Sequence, residues 1–225
     1  MAHEGFQEAR RDLRSLTAIA EKRALLWLAA RLPAWVGPDH LTVLGLGALL
    51  LGGVAYAASR TSPLALHLVS LCLVLNWFGD SLDGTLARYR NRLRPRYGFY
   101  VDHVADAFGA LFLLTGLACS GRVAPLLALA LLVAYFLLAI DTYLATYTRG
   151  TFRLAHGGVG GTELRLLLVL VNLAAAIWPE LHAFGWRLRL LDVVVALATL
   201  GVTGALVASV AGNTRALYHE ERLAE

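Results

Sequence analysis

Long apolar runs separated by short arginine-bearing breaks set the pattern of this chain. Runs at 41–59, 63–88, 98–119, 125–148 and 190–211 are long enough to cross a bilayer core as helices, which takes roughly 20 residues. A shorter run at 163–178 predicts a sixth span. Unpaired backbone groups are too costly in hydrocarbon for bare loops or strands, so the spans are read as helices. Ahead of the first span, 21–36 intersperses Leu25, Leu26, Trp27, Leu28, Leu32 and Trp35 with Lys22, Arg23 and Arg31. That pattern predicts an amphipathic helix lying in the membrane interface. The expected fold class is an all-α membrane protein with six transmembrane helices plus an N-terminal interfacial amphipathic helix. The expected divisions are a cytosolic arm with that helix at 1–36, a six-helix domain at 37–215 and a cytosolic tail at 216–225.

Composition agrees: 58% of residues are hydrophobic and the mean hydropathy is +0.61, against about 45–50% apolar residues in soluble domains. The net charge of +4 lies between apolar segments rather than on one soluble face, which argues against a nucleic-acid partner. Of the 20 Lys and Arg residues, 16 fall in the N-terminal arm, the second–third and fourth–fifth connections and the tail. Only Arg60, Arg122, Arg187 and Arg189 fall in the other connections. The positive-inside rule then places both termini in the cytoplasm, in a multi-pass cell-membrane protein with an even number of spans. Cys72 and Cys119 sit in apolar surroundings and read as packed thiols. The glycine-rich stretch 157–161 reads as a hinge that could also approach a phosphate.

The informative stretch is 76–107. Asp80 and Asp83 are three apart on one predicted helix and share a face; Asp102 and Asp106 are four apart on the next. Pro95 favours a turn between them. The two helices are expected to be antiparallel neighbours with both carboxylate pairs near the cytoplasmic end. Each Asp within a span costs about 2.5–3.5 kcal/mol on insertion scales, and intramembrane carboxylates are functional by default. Four together would also repel one another. Divalent cations relieve both costs, and oxygen-only ligands suit Mg²⁺, Mn²⁺ or Ca²⁺. Two ions about 3.5–4 Å apart are a known device for phosphoryl displacement. Gly84 leaves room beside the carboxylates, Ala87 keeps the face shallow, and Arg88 is placed to pair with phosphate oxygens. Taken alone, Arg88 also fits a membrane-surface anchor, and Gly98 fits either helix packing or ligand contact. Arg90, Arg92, Arg94 and Arg96 read as a solvated loop touching anionic headgroups.

These residues resemble the CDP-alcohol phosphotransferase family, whose signature is D-x2-D-G-x2-A-R-x8-G-x3-D-x3-D. All eight fixed positions are filled, by Asp80, Asp83, Gly84, Ala87, Arg88, Gly98, Asp102 and Asp106, with nine residues rather than eight between Arg88 and Gly98. The resemblance implies transfer of a phosphoalcohol group, here a phosphatidyl group, from a CDP-alcohol to an acceptor alcohol. CMP is released, and the setting is phospholipid biosynthesis. It implies that Asp80, Asp83, Asp102 and Asp106 hold two divalent ions, Mg²⁺ or Mn²⁺, and that Asp106 is also the general base. It places Asp83, Gly84, Ala87 and Arg88 along the nucleotide, and it implies a homodimer. Pro38, Asp39, Leu41 and Thr42 resemble the family's P-N-x-L-T entrance, with Asp39 in place of Asn and Thr42 a further nucleotide contact. His103 beside Asp102 resembles the Asp-His pair of choline/ethanolamine-type members, although a neighbour on a helix points about 100° away and packing explains it as well. Glu163, Arg165 and His103 are the candidate acceptor-binding residues. Asp141 and Asp192 fit substrate contacts or paired structural groups.

Two other functions compete. An intramembrane prenyltransferase also uses aspartates and metal, but its two motifs lie far apart, whereas both pairs here fall within 27 residues. A cation- or proton-coupled transporter could use buried carboxylates, but gives no reason for Gly84, Ala87 and Arg88 in fixed register.

Overall fold

The structure, a computed structural model, describes residues 18–150, 161–183 and 186–221. Residues 157–160 and Arg10, Arg11, Arg14, Arg153 and Arg222 lie outside them. The described elements are α1 (Ala18–Arg31), α2 (Pro38–Ala58), α3 (Ala65–Tyr89), α4 (Pro95–Cys119), α5 (Pro125–Arg149), α6 (Gly161–Ile177), the strands β1 (Glu180–Ala183) and β2 (Trp186–Arg189), and α7 (Leu190–Glu220).

Five helices, α2 to α5 and α7, are long and apolar enough to cross a membrane. The chain is a multi-pass helical membrane protein. The expected sixth span, α6, has 17 residues, about 25 Å at the usual helical rise against a core of about 30 Å. The 31 residues of α7 make about 46 Å, so this helix outruns the core and takes in the first half of what the sequence suggests is a separate tail. The expected all-α fold also gains a hairpin. Beyond Pro179, β1 and β2 pair antiparallel with Glu180 opposite Arg189 and Leu181 opposite Leu188.

α2 is the centre of the bundle. It packs on both α3 and α4, whereas the backbones of α3 and α4 barely meet. Glycines bring the helices this close. A Cβ on Gly79 of α3 would lie 2.5 Å from the Leu41 carbonyl and 2.8 Å from the Gly45 nitrogen of α2. Gly116 of α4 meets the Gly53 backbone of α2 in the same way. Small residues let backbones approach where lipid offers no hydrophobic drive for association. Gly98, a packing candidate in the sequence, has nothing within 4 Å of its would-be Cβ.

Two apolar clusters hold the ends. Leu25 and Ala29 of α1 pack with Leu41, Leu82 and Leu86, so α1 is seated on α3 as well as being amphipathic. α1 stops at Arg31, short of the expected 36. The turn that follows is clamped by Arg90, which donates to the carbonyls of Leu32 (2.9 Å), Pro33 (3.0 Å) and Val36 (2.5 Å). Arg90 is therefore a structural donor rather than part of a solvated loop. Arg94 pairs with Asp39 and lies over the Tyr97 ring at 4.1 Å. At the other end, the Tyr56 hydroxyl donates to Asn172 at 2.9 Å. Both residues are buried alongside a cluster that includes Val69, Leu73, Leu117 and Ala175. This buried polar pair ties α2 to α6 at the end away from the aspartates.

Candidate active site

The sequence places two carboxylates on each of two helices, and the structure brings all four into one electrostatic neighbourhood. Asp83 feels the charges of Asp102 and Asp80, and Asp106 those of Asp80, Asp102 and Asp83. The backbones of α3 and α4 make few close contacts with each other. Both pairs lie beside α2, which packs closely on α3 at Gly79 and on α4 at Gly116. Thr42, Gly45, Asn76, Asp80 and Asp106 line one narrow cavity there.

Asp83 is buried and oriented by the Thr42 hydroxyl (2.7 Å) and the Gly84 backbone N–H (2.5 Å). Thr42, a nucleotide candidate in the sequence, thus spends its proton on a carboxylate. Asp80 accepts a charge-assisted bond from Arg165 at 2.7 Å. The same guanidinium donates through Nε to Asn76 Oδ1 at 2.7 Å, and the Asn76 amide donates to the Gly45 carbonyl at 3.2 Å. Arg165 also offsets the field at Asp106. Tyr135 and Tyr143 of α5 lie within electrostatic reach of Asp106.

Of the other candidates, Gly84 is open apart from the Arg88 guanidinium, whose nitrogens lie 3.7 and 3.8 Å from a would-be Cβ. Arg88 is exposed and Ala87 is buried. Glu163 stands in the first turn of α6, two residues before Arg165. His103 is buried, with Nδ1 at 2.5 Å from the Phe99 carbonyl and its ring packed on Phe99 (4.1 Å) and edge-on to Tyr143 (5.1 Å). Asp141 accepts from Ser209 (2.5 Å) and Asn213 (3.4 Å) across α5 and α7. Asp192 accepts from the Ala124 N–H and Arg189, both at 2.6 Å, at the end away from the aspartates. These two carboxylates are structural partners. Sequence reasoning missed Asn76, Tyr135 and Tyr143. Asn76 was findable, since it lies one turn before Asp80 on the same face.

Among the described residues, no three His, Cys, Asp or Glu side chains converge tightly enough to grip an ion. The donor chemistry still fits a hard divalent cation. All four candidate ligands are carboxylates and their charges interact, with Arg165 paired to Asp80 and offsetting the charge at Asp106. An ion between the helices would draw ligands from both sides.

Comparison with known proteins follows the same lines. Human cholinephosphotransferase 1 is 24% identical over 202 residues, covering 86% of this chain and 49% of its own. The Gallus gallus protein of that name is 29% identical over 183 residues, covering 75% and 53%. The chain therefore spans about half the length of these relatives. Among solved structures, Mycobacterium tuberculosis phosphatidylinositol phosphate synthase with CDP-DAG bound superposes with a TM-score of 0.57 at 17% identity, covering 93% of this chain and 99% of that one. Its complex with manganese and citrate gives 0.52 at 19%, covering 90% and 87%. That likeness is one of fold. The family model described as CDP-alcohol phosphatidyltransferase matches residues 35–209, which takes in all four site carboxylates and the whole of α2 to α6. The chain belongs to the CDP-alcohol phosphatidyltransferase family of phospholipid biosynthesis.

Proposed function

We propose that this protein uses a divalent metal to transfer a phosphoalcohol group from a CDP-alcohol to an acceptor alcohol, releasing CMP. The observation that carries this reading is the set of four interacting carboxylates on α3 and α4, opening beside Gly84 and Arg88. Asp80, Asp83, Asp102 and Asp106 would hold Mg²⁺ or Mn²⁺, as the manganese complex of the mycobacterial fold relative suggests. The ions would supply charge neutralisation at the diphosphate and at the attacking oxygen. Gly84 gives the nucleotide backbone-level access, and Arg88 pairs with phosphate oxygens. Thr42 fixes Asp83, while Asn76 and Arg165 fix Asp80. Asp106 takes the proton of the acceptor hydroxyl. The freed oxygen bonds to the phosphorus carrying the donor alcohol, the bond from that phosphorus to the bridging oxygen breaks, and CMP carries that oxygen away. Glu163 and Arg165, at the mouth of α6, and His103 are the proposed acceptor-side groups. The site faces the cytoplasm in this reading, and the protein works as a homodimer.

Two donor arrangements are distinguished by experiment. In one, CDP-diacylglycerol donates a phosphatidyl group to a small alcohol, in keeping with the family's description and the CDP-DAG complex of the fold relative. In the other, a CDP-linked headgroup donates to a lipid alcohol, which the similarity to cholinephosphotransferases favours. Purified protein with Mg²⁺ or Mn²⁺ is incubated with labelled CDP-diacylglycerol or CDP-choline and a panel of small and lipid acceptors. CMP release that depends on one donor, and stops with EDTA, assigns the arrangement. No metal-dependent CMP release from any donor would reject the transferase reading. Release of diphosphate from a prenyl diphosphate would favour the prenyltransferase instead.

A further inference from the structure

A single carboxylate oxygen outside the site joins three helices around it. Glu21 of α1 accepts from the Trp77 indole N–H of α3 at 2.9 Å and from the Thr162 hydroxyl of α6 at 2.6 Å, both at Oε1. Each donor is a short step from the site. Asn76 precedes Trp77, and Arg165 follows Thr162 by three residues, on the same side of α6. Arg165 then closes a ring of hydrogen bonds through Asn76 and Asp80, both at 2.7 Å. Thr162 lies in the first turn of α6 and Arg165 in the next. Where that turn sits against α3 decides whether the Arg165 fork reaches Asn76 and Asp80 together.

We infer that Glu21 is a positioning residue for the transfer site: it sets α6 against α3 and thereby holds Arg165 on Asp80. The inference rests on the reading that Asp80 belongs to the reacting centre. It gives the interfacial helix a part in catalysis without contact with substrate. The role depends on an acceptor atom at Oε1, not on the negative charge, so an amide serves as well.

The test uses the full chain purified in detergent, with kcat and KM expressed per folded molecule and Tm measured alongside. Glu21→Ala is expected to lower kcat/KM about tenfold with only a modest fall in Tm, and Glu21→Gln to stay within about twofold of wild type. Thr162→Val should lose about threefold, and the double variant with Glu21→Ala should be no worse than Glu21→Ala alone, because both remove the same link. Unchanged constants in Glu21→Ala would overturn the inference, as would a Glu21→Gln variant as impaired as the alanine. If Glu21→Ala does not fold, Thr162→Val and Glu21→Gln carry the test. Hydrogen exchange gives a readout without turnover: Glu21→Ala should speed exchange at 161–168 and not in α5. Wild-type protein that releases no CMP would reject the transferase reading, while unchanged exchange at 161–168 would reject the positioning role.

Discussion

Two sets of carboxylates lie at similar depth in this bundle and are treated in opposite ways. Asp141 is eight residues from the end of α5, about 12 Å along the helix. It is met by neutral donors, the Ser209 hydroxyl and the Asn213 amide, and Asn213 in turn accepts from Arg149 at 2.7 Å. Asp80 and Asp106 lie about as far from the ends of α3 and α4. They sit among other carboxylates, and among the described residues Arg165 pairs with Asp80 and offsets the charge at Asp106. The first arrangement satisfies a carboxylate and joins α5 to α7. The second leaves repulsion in place, which a fold concerned only with stability would have removed. Burying interacting charges is costly unless something bound repays it. The difference teaches that an acidic residue within a span marks chemistry when its neighbours share its charge, and scaffolding when they complete its hydrogen bonds.

The largest effect is expected at Asp106. Replacing a general base costs typically 10²–10⁴-fold in rate. Asp106→Asn should lose kcat on that scale while binding of labelled CDP-alcohol survives. Near-normal turnover would remove the base assignment. Arg165→Gln comes next. It takes away a charge-assisted bond, worth about 1.5–3 kcal/mol, so kcat/KM should fall about ten- to hundredfold. A fall of less than twofold would show that Asp80 needs no positioning from α6.

The candidate ligands were legible in the sequence because charge in a span is expensive and helical spacing puts Asp80 with Asp83, and Asp102 with Asp106, on common faces. What was not legible depends on register between elements that are not neighbours. Nothing local to Gly45 or Gly79 says that they meet, and that meeting seats α3 closely on α2. Arg165 reaches Asn76 and Asp80 together through the packing of α6 on α3, which no periodicity encodes. Arg90 reads locally as one of a string of loop arginines, yet the α1–α2 turn uses it for its carbonyls. α4 begins at Pro95 and not at Gly98 because proline's missing N–H is harmless in a first turn. The strands β1 and β2 are four residues each, too short to give a clear alternation.

A smaller effect is expected at Thr42. Its bond to Asp83 is one neutral donor on a carboxylate at 2.7 Å. Thr42→Val keeps the volume and removes the donor, leaving Asp83 to the Gly84 N–H. The loss should be about three- to tenfold in kcat/KM, with KM for the metal raised, since Asp83 would then be less well oriented. If KM for the CDP-alcohol rises and the metal dependence does not move, Thr42 contacts the nucleotide itself, and its bond to Asp83 is incidental to the reaction.

The smallest effect on turnover, and the sharpest test of the contrast between the two carboxylate sets, is expected at Asp141. Asp141→Asn can still accept through its carbonyl from Ser209 or Asn213. Its new amide hydrogens, however, meet a hydroxyl and an amide that already donate into the site. One hydrogen bond is weakened or lost, about 0.5–1.5 kcal/mol. That should appear as a modest fall in Tm, while kcat and the metal requirement stay within about twofold of wild type, a shift too small to reflect a lost ligand. The same exchange at Asp80 changes a group that Arg165 holds and that its neighbours repel, so activity should fall while Tm holds or rises as the repulsion eases. Opposite signs of the stability change in the two variants, measured in one detergent, would establish that the aspartates of α3 and α4 are kept against their folding cost. If Asp141→Asn lost metal-dependent turnover, Asp141 would join the site, and satisfied hydrogen bonds would no longer separate a structural carboxylate from a working one.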